Sequence, residues 1–220
     1  WKLKGTFGLE QLEGYNQVGQ VIELRESQVT REYIPLSGKL KVGDMVSMDS
    51  FAFPVNPLEA HGIAFSEVYF LSPLGTFPAW LTSGKSNTWA IFVHGKGSDR
   101  REAPRMLPTL VKLDHTTLII TYRNDQNLSR NPDGFYRYGE TEWEDLEGAV
   151  SYAINNGAEN VILVGYSMGG AIVASFLYNS DLAIFVKAVI FDSPLLDLSA
   201  TIDHAARQRK IPDILTMTAK

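Results

Sequence analysis

Residues 160–170 read Asn160-Val161-Ile162-Leu163-Val164-Gly165-Tyr166-Ser167-Met168-Gly169-Gly170. The run Val161–Val164 is apolar throughout, which is typical of a strand buried on both faces of a sheet. Gly165–Gly169 has the pattern G-x-S-x-G, and the small and apolar residues of Gly170–Leu177 then predict a helix. A strand, a sharp turn carrying a serine and a helix form the setting of a nucleophile elbow.

The sharpness of the turn explains the residue types found there. A serine on such a turn needs neighbours without bulk, and Gly165 and Gly169 have no Cβ atom to clash. The turn lifts Ser167 Oγ to the carboxyl edge of the sheet, where open α/β folds bind their ligands. It also directs the Met168 N–H toward the same space. The alternative is a glycine-rich turn in which Ser167 only caps the following helix.

A second glycine-rich segment, His94-Gly95-Lys96-Gly97, follows another predicted strand. Acyl transfer needs two N–H donors aimed at the oxygen on which negative charge develops. We expect the backbone N–H groups of Lys96 and Met168 to be this oxyanion pair. Gly95 and Gly97 would let a ligand approach the loop closely.

Strands and helices alternate along the chain from Glu67 onward. Apolar runs predict strands at residues 68–71, 77–81, 89–93, 118–122, 160–164 and 187–191. The helical spacing of apolar residues predicts a helix over Thr141–Ile154. Thr141 and Glu144 match a capping box at its start, and Gly157 suits a left-handed residue after its end. The alternation predicts the α/β class, a mostly parallel sheet with helices on both faces.

Residues 1–60 differ from the rest and predict a small β-rich N-terminal appendage. Gln20–Leu24 and Val29–Ile34 flank a polar link and match a hairpin. No motif for chemistry occurs in this part. We therefore divide the chain into the appendage, 1–60, and an α/β core, 61–220.

Residues 67–194 resemble the α/β-hydrolase fold in its serine esterase and serine-aminopeptidase-like branch. The matching features are the H-G-x-G loop at 94–97, the helix 141–154, the elbow at 165–169 and the strand ending in Asp192-Ser193-Pro194. Residues 139–143 and the β-rich leader are similar to a bacterial subgroup whose members often carry a membrane segment or signal before the leader. This resemblance favours a membrane-anchored or extracytoplasmic protein and leaves a cytoplasmic location open. We expect membrane contact only through such an N-terminal segment.

The family implies a catalytic triad in the order Ser, acid, His. After the sixth predicted strand, residues 192–220 are too few for two more strands and a loop carrying His. We therefore expect these 220 residues, which begin at Trp1, to be a piece of a longer polypeptide, inactive alone, with the acid and His beyond residue 220. Asp192 and His204 follow Ser167 in the right order, but His204 falls in a predicted helix, so we do not favour this pair.

The four histidines and the acidic residues have structural explanations. His94 can fix the oxyanion loop by hydrogen bonds or act as a general base, and we favour the first role. His61 and His115 are expected on the surface or in linkers. No histidines have zinc-binding spacing and cysteine is absent, so we expect no metal and no cofactor. Four carboxylates near the start of the predicted helix could be mistaken for a metal cluster: Glu142, Glu144, Asp145 and Glu147. Their position is explained better by the helix dipole, which favours negative charge at a helix start, and by solvation.

Composition narrows the class of partner. The chain has 20 Lys and Arg against 25 Asp and Glu, a net charge of −5, which argues against nucleic acid. Tyr166 and Met168 offer apolar contacts that suit an acyl group. The loop Arg123–Gly139 either lines a substrate pocket or is an ordinary solvated loop, which we slightly favour. A cluster of Arg207, Arg209 and Lys210 suits a helix end.

These observations favour a serine hydrolase of carboxylic esters or related small acyl compounds, with Ser167 as the nucleophile. An acyltransferase would use the same site. A non-catalytic binding protein of the same fold is the alternative from another class, because the expected triad histidine is absent from residues 192–220.

Overall fold

The computed structural model describes residues 1–209 and 211. The chain divides into two compact units. The first comprises Trp1–Ala64 and Pro104–Pro108, and the second comprises Phe65–Ala103 and Thr109–Lys220. The assignment of an appendage and a catalytic core to residues 1–60 and 61–220 stays a prediction.

The first unit contains a four-stranded antiparallel sheet in the order β3-β2-β1-β4. Its elements are β1 (Phe7–Gln11), β2 (Gly14–Leu24), β3 (Val29–Ile34), β4 (Ser47–Asp49) and the short helix α1 (Pro57–His61). The predicted hairpin is confirmed, because Leu24 pairs with Val29 across the turn. The sheet buries Leu9 and Val18. The β-rich character expected from the sequence is therefore present.

The second unit contains a six-stranded sheet in the order β10-β9-β7-β8-β6-β5. Its strands are β5 (Ser66–Ser72), β6 (Gly75–Thr82), β7 (Ser86–Val93), β8 (His115–Ile120), β9 (Asn160–Tyr166) and β10 (Val186–Asp192). The strands β10, β9, β7 and β8 run parallel, whereas β6 and β5 pair antiparallel. All six predicted strands are present, and the mostly parallel α/β sheet is confirmed.

Helices follow the parallel strands, as crossover connections require. They are α2 (Leu107–Lys112), α3 (Trp143–Asn155), α4 (Met168–Asn179) and α5 (Leu198–Gln208), with 3₁₀ turns at Arg100–Arg105 and Asp181–Phe185. The predicted apolar stripe of α3 enters the core, where Leu146, Ala149, Val150 and Ala153 are fully buried. The helix predicted to contain His204 is α5, and Lys210 of the predicted basic cluster lies outside the described residues.

The start of α3 differs from the prediction. The N-cap is Glu142 rather than Thr141, and no side chain caps the helix. The Thr141 hydroxyl instead donates to Asn131 Oδ1 over 3.3 Å. The capping box is therefore wrong, because a longer-range partner takes up the hydroxyl.

The acidic residues near this helix start are not a solvated face. Glu142 and Asp145 are fully buried. Each accepts hydrogen bonds from the loop that precedes the helix, as described below. The explanation by solvation is therefore wrong for these two carboxylates. Within residues 1–209 and 211, no cluster of three or more His, Asp or Glu side chains is placed to hold a metal ion.

The parallel pairing gathers four loops at one edge of the second sheet. The carboxyl ends of β7, β8, β9 and β10 lie there together, because parallel neighbours point the same way. The segments that follow these ends include residues 94–97, Ser167 and Ser193. The described helices include none with the length and apolar character needed to cross a membrane.

Candidate active site

Ser167 lies in the turn between β9 and α4 with φ 48° and ψ −114°. It is exposed, although the residues on either side are buried. Its N–H donates to Asp192 O over 3.0 Å, and its carbonyl accepts from Gly170 N over 3.0 Å and Leu195 N over 2.8 Å. These bonds offset the cost of a positive φ, about 1–3 kcal/mol for a residue with a side chain. The Ser167 hydroxyl makes no helix-capping bond, which contradicts the alternative that the serine only caps α4.

The elbow glycines permit close backbone packing. A Cβ atom on Gly169 would lie 2.1 Å from Val93 O, and one on Gly165 would lie 2.8 Å from Gly169 O. Neither contact is possible for a real side chain, so the pattern requires glycine at both positions. A Cβ atom on Gly95 would lie 3.1 Å from Ser167 Cβ. The H-G-x-G loop therefore lies directly against the serine.

The residues that flank the serine do not contribute to a substrate pocket. Met168 is fully buried in the hydrophobic core, and Tyr166 is only 2% exposed. Their predicted apolar contacts with an acyl group are wrong, because both side chains are used inside the fold.

Backbone groups of the H-G-x-G loop are held by side chains from elsewhere. The Gly95 N–H donates to Glu102 Oε2 over 2.7 Å, and the Tyr122 hydroxyl donates to His94 O over 2.9 Å. The Lys96 N–H has no hydrogen-bond partner within the described part of the chain. The sequence carried no signal for Glu102, which acts from a 3₁₀ turn seven residues further on.

These contacts are compatible with the expected oxyanion donors. Met168 is the first residue of α4, and the first N–H groups of a helix have no partner within it. The N–H of Lys96 is likewise available, as described above. The assignment of these two groups as an oxyanion pair stays a prediction.

His94 is buried below the loop. Its Nε2 lies 2.9 Å from Asp125 Oδ2, and its Nδ1 lies 3.0 Å from Gly95 O. The ring stacks on Tyr122 with 4.4 Å between centroids. Burial lowers the pKa of His94, but the charge and hydrogen bond of Asp125 outweigh it and the pKa is raised. Both ring nitrogens face acceptors, which a doubly protonated imidazolium satisfies. These contacts agree with a structural role and leave no nitrogen to accept a proton from Ser167.

Asp192 and His204 do not form a triad with Ser167. The exposed His204 lies with its Nε2 2.9 Å from Gln208 Nε2. Asp192 Oδ1 accepts from Ser193 Oγ over 3.1 Å. No hydrogen bond joins Ser167 Oγ to a histidine in the described ranges, 1–209 and 211.

The two remaining histidines also have partners elsewhere. His61 Nε2 lies 2.8 Å from Pro104 O, and His115 Nδ1 lies 2.8 Å from Thr88 O. His115 begins β8 and is half-buried. Its expected place on the surface or in a linker is therefore wrong, because it belongs to the sheet.

The loop that follows β8 is anchored by a buried ion pair. Arg123 donates from Nε to Asp145 Oδ2 over 2.8 Å and from Nη2 to Asp145 Oδ1 over 2.9 Å. Burial lowers the pKa of Arg123, but the hydrogen bonds of Asp145 and Glu144 outweigh it and raise the pKa. Asn131 is buried in the same loop. Most side chains of residues 126–137 are nevertheless exposed, so the loop is solvated between buried anchors, and its alternative role in lining a substrate pocket stays a prediction.

A cleft lies beside the elbow. Its volume is about 210 Å³, and its lining consists of Tyr138, Ala171, Ala174, Leu195, Leu196 and Leu198. Ala171 belongs to the first turn of α4, and the Leu195 N–H donates to Ser167 O. Apart from the Tyr138 hydroxyl, the lining side chains are apolar.

Comparison with known proteins gives structural likeness only. No family model and no curated protein matches the chain. Esterase Pf2001 of Pyrococcus furiosus matches 75% of this chain and 63% of its own, at 20% identity and a TM-score of 0.60. An α/β hydrolase of Vibrio vulnificus matches 63% of this chain and 49% of its own, at 22% identity and a TM-score of 0.53.

A third likeness is to XC6422 of Xanthomonas campestris, described as an α/β serine hydrolase without lid. It covers 64% of both chains at 15% identity and a TM-score of 0.51. The chain thus spans about two thirds or less of the length of these proteins. With the sheet order and the turn between β9 and α4, these likenesses show that this chain has the α/β-hydrolase fold.

Proposed function

We propose that this chain supplies the nucleophile and the oxyanion hole of a serine hydrolase that acts on carboxylic esters or related small acyl compounds. The observation that carries the proposal is Ser167 itself, an exposed hydroxyl on a strained turn against the H-G-x-G loop. Structurally similar proteins include an esterase and a serine hydrolase. Their chemistry supports the same class for this chain.

The proposed reaction proceeds by two acyl transfers. Ser167 Oγ attacks the ester carbonyl carbon while a general base takes the hydroxyl proton. The carbonyl oxygen becomes an oxyanion, which accepts hydrogen bonds from the N–H groups of Lys96 and Met168. The C–O bond to the alcohol then breaks, the alcohol leaves with the proton, and an acyl-Ser167 ester remains. Water hydrolyses that ester and restores the hydroxyl.

The general base belongs to a segment outside these 220 residues in this proposal. Each of the four histidines has a partner other than Ser167. A serine hydroxyl is a weak nucleophile without a base. We therefore expect the 220-residue chain alone to react slowly, and a polypeptide carrying the acid and the histidine to react faster.

The direct test is covalent labelling with a fluorophosphonate, followed by mass spectrometry of the peptides. We expect one adduct, on Ser167, with a higher rate in a longer polypeptide that includes the base. Ser167→Ala should remove the adduct. Ser175→Ala is the matched control on the same helix and should label like the parent protein. An adduct that survives Ser167→Ala, or none in either polypeptide, would count against the proposal.

A non-catalytic binding protein remains the second candidate. The absence of a histidine bonded to Ser167 among the described residues favours it. It predicts no labelling and no release of p-nitrophenol from short-chain esters by either polypeptide, with ligand binding retained.

A further inference from the structure

Tyr138 is held in a conformation that a residue with a side chain seldom adopts. Its φ is 53°, and it is followed by Gly139 at φ 101°. The buried Glu142 carboxylate binds the backbone on both sides of Tyr138. Its Oε1 accepts from Arg137 N over 2.7 Å, and its Oε2 accepts from Gly139 N over 2.9 Å. Strain of this kind persists where the surroundings enforce it and is common at functional sites. Here it fixes the position of one tyrosine side chain at the cleft.

Gly139 shows how closely this segment approaches the elbow helix. A Cβ atom there would lie 2.8 Å from Ala171 O, in the first turn of α4. The backbone next to Tyr138 therefore touches the helix that begins after Ser167. Tyr138 itself lines the 210 Å³ cleft together with Ala171 and Leu195.

The Lys96 side chain contacts Tyr138, one of the residues that line the cleft. Its Nζ donates to the Tyr138 hydroxyl over 2.5 Å and lies 4.7 Å from the centre of the Tyr138 ring and 5.8 Å from that of Tyr136. The same residue contributes the backbone N–H expected in the oxyanion hole. An ammonium group is thus placed at the edge of the candidate active site.

The Lys96 ammonium and the Tyr138 hydroxyl have hydrogen-bond donors that no residue of the described part of the chain accepts. Within the described part of the chain, Lys96 forms no ion pair, and no acceptor takes the proton of the Tyr138 hydroxyl. An ammonium has three N–H donors, of which one is engaged, and a tyrosine hydroxyl that accepts one bond still donates another. Two N–H groups and one O–H group are therefore free to donate to a ligand.

The cleft limits the apolar part of a ligand. A cavity of about 150 Å³ holds a benzene molecule. A volume of about 210 Å³ therefore accommodates a chain of roughly four to six carbons against the alanine and leucine side chains.

We propose that Lys96 and Tyr138 form an anion subsite beside Ser167, so that the site takes short-chain esters that carry a carboxylate or phosphate group. The ester chemistry rests on the proposed function, whereas the binding of the anion does not. Charge-assisted hydrogen bonds from an ammonium and a hydroxyl recognise the anion. The apolar cleft holds the short chain that bears it.

The test measures binding, by calorimetric titration of the Ser167→Ala protein, which cannot turn over substrate. The probes are monomethyl succinate, which carries one carboxylate, and dimethyl succinate, which is neutral and of similar size. We expect the monoester to bind about tenfold more tightly at low ionic strength. The preference should weaken as salt is added, because salt screens exposed charges. Propyl phosphate, titrated in the same way, identifies which anion is preferred.

Lys96→Met, added to Ser167→Ala, should abolish the preference for the anion. Lys85→Met is the matched control, because it removes the same charge from the exposed surface just before β7, at the opposite end of that strand from the H-G-x-G loop. Tyr138→Phe should reduce the preference by about threefold, since one of the donors is lost. Equal binding of the two succinates, or an equal effect of the two lysine substitutions, would overturn the proposal.

The two proposals fail in different ways. If Ser167 takes no fluorophosphonate but the monoester binds in a manner that depends on Lys96, the anion subsite stands and the hydrolase does not. If Ser167 is labelled but the succinates bind equally, the hydrolase stands and the anion subsite does not.

Discussion

Ser167 and His94 lie at the same edge of the sheet, but their side chains differ in exposure and in hydrogen bonding. The serine is exposed on a strained turn, whereas the imidazole is buried between Asp125 and the Gly95 carbonyl. Hydrogen bonds with the side chains of His94, Glu102 and Tyr122 fix the backbone of the loop that faces the serine. Fixed donors need no rearrangement when charge develops on a substrate, which is the physical basis of an oxyanion hole.

The raised pKa of His94 predicts how stability depends on pH. The folded protein binds the proton more tightly than the unfolded chain, whose value is 6.5. The ion pair with Asp125 therefore stabilises the fold fully below about pH 6.5, and the stabilisation is lost as pH rises through the higher folded pKa. We expect the free energy of unfolding in urea to fall as pH rises above about 6.5.

Two measurements separate His94 from other titrating groups. His94→Gln should flatten this fall, and NMR titration of the parent protein should show the His94 ring titrating above 6.5. If the substituted protein does not fold, the NMR titration alone decides. A His94 ring that titrates below 6.5 would contradict the prediction.

At the scale of elements, a buried salt bridge joins the loop after β8 to the helix α3. Arg123 makes a two-pronged contact with Asp145 and a further bond to Glu144 Oε2 over 2.8 Å. The guanidinium and the Asp145 carboxylate are almost completely buried, while the Glu144 side chain is 37% exposed. Because burial of an unpaired charge costs far more than loss of a surface pair, the two acids should differ sharply in importance.

Substitution of the two acids tests this difference. We expect Asp145→Asn to lower the free energy of unfolding by about 3 kcal/mol or more, because it removes the only buried countercharge of the guanidinium among the described residues and leaves the partly exposed Glu144. Glu144→Gln, the matched control on the same arginine, should cost less than about 1 kcal/mol. Urea unfolding at neutral pH measures both values. Similar losses for the two variants would show that Asp145 is not the main partner.

At the scale of the whole molecule, β10 is an edge strand of the large sheet as far as residues 1–209 and 211 show. Among the described residues, β10 pairs with β9 alone, and its exposed residues include Ala188 and Phe191. Unpaired backbone groups on an apolar edge strand provide a template for another strand. In this chain the strand also supports the site, since Asp192 O accepts the Ser167 N–H.

This edge strand predicts self-association of the 220-residue chain. We expect sedimentation to show assemblies larger than one chain, and Ala188→Lys to reduce them, because a charge on the edge opposes pairing. Tyr178→Lys, on the exposed face of α4, is the control and should leave the assemblies unchanged. A parent chain that sediments as a monomer at all concentrations would contradict this prediction.

The sequence by itself determined the six strands of the large sheet, the helix after the loop and the turn that carries Ser167. These features follow from local patterns, because apolar runs specify buried strands and a sharp strand-to-helix turn requires glycine on both sides. The capping box failed although it is also a local pattern. Thr141 found a partner ten residues away, at Asn131, and tertiary contacts override weak local preferences.

Only the tertiary structure decided which distant side chains meet at the site. Glu102 at the Gly95 N–H, Asp125 under His94, Asp145 at Arg123 and Lys96 beside Tyr138 are pairs separated by 7 to 42 residues. Such pairs depend on the order of the strands in the sheet and on the path of the loops between them. No short pattern in the chain records that order, because it follows from packing all the elements around one core at once.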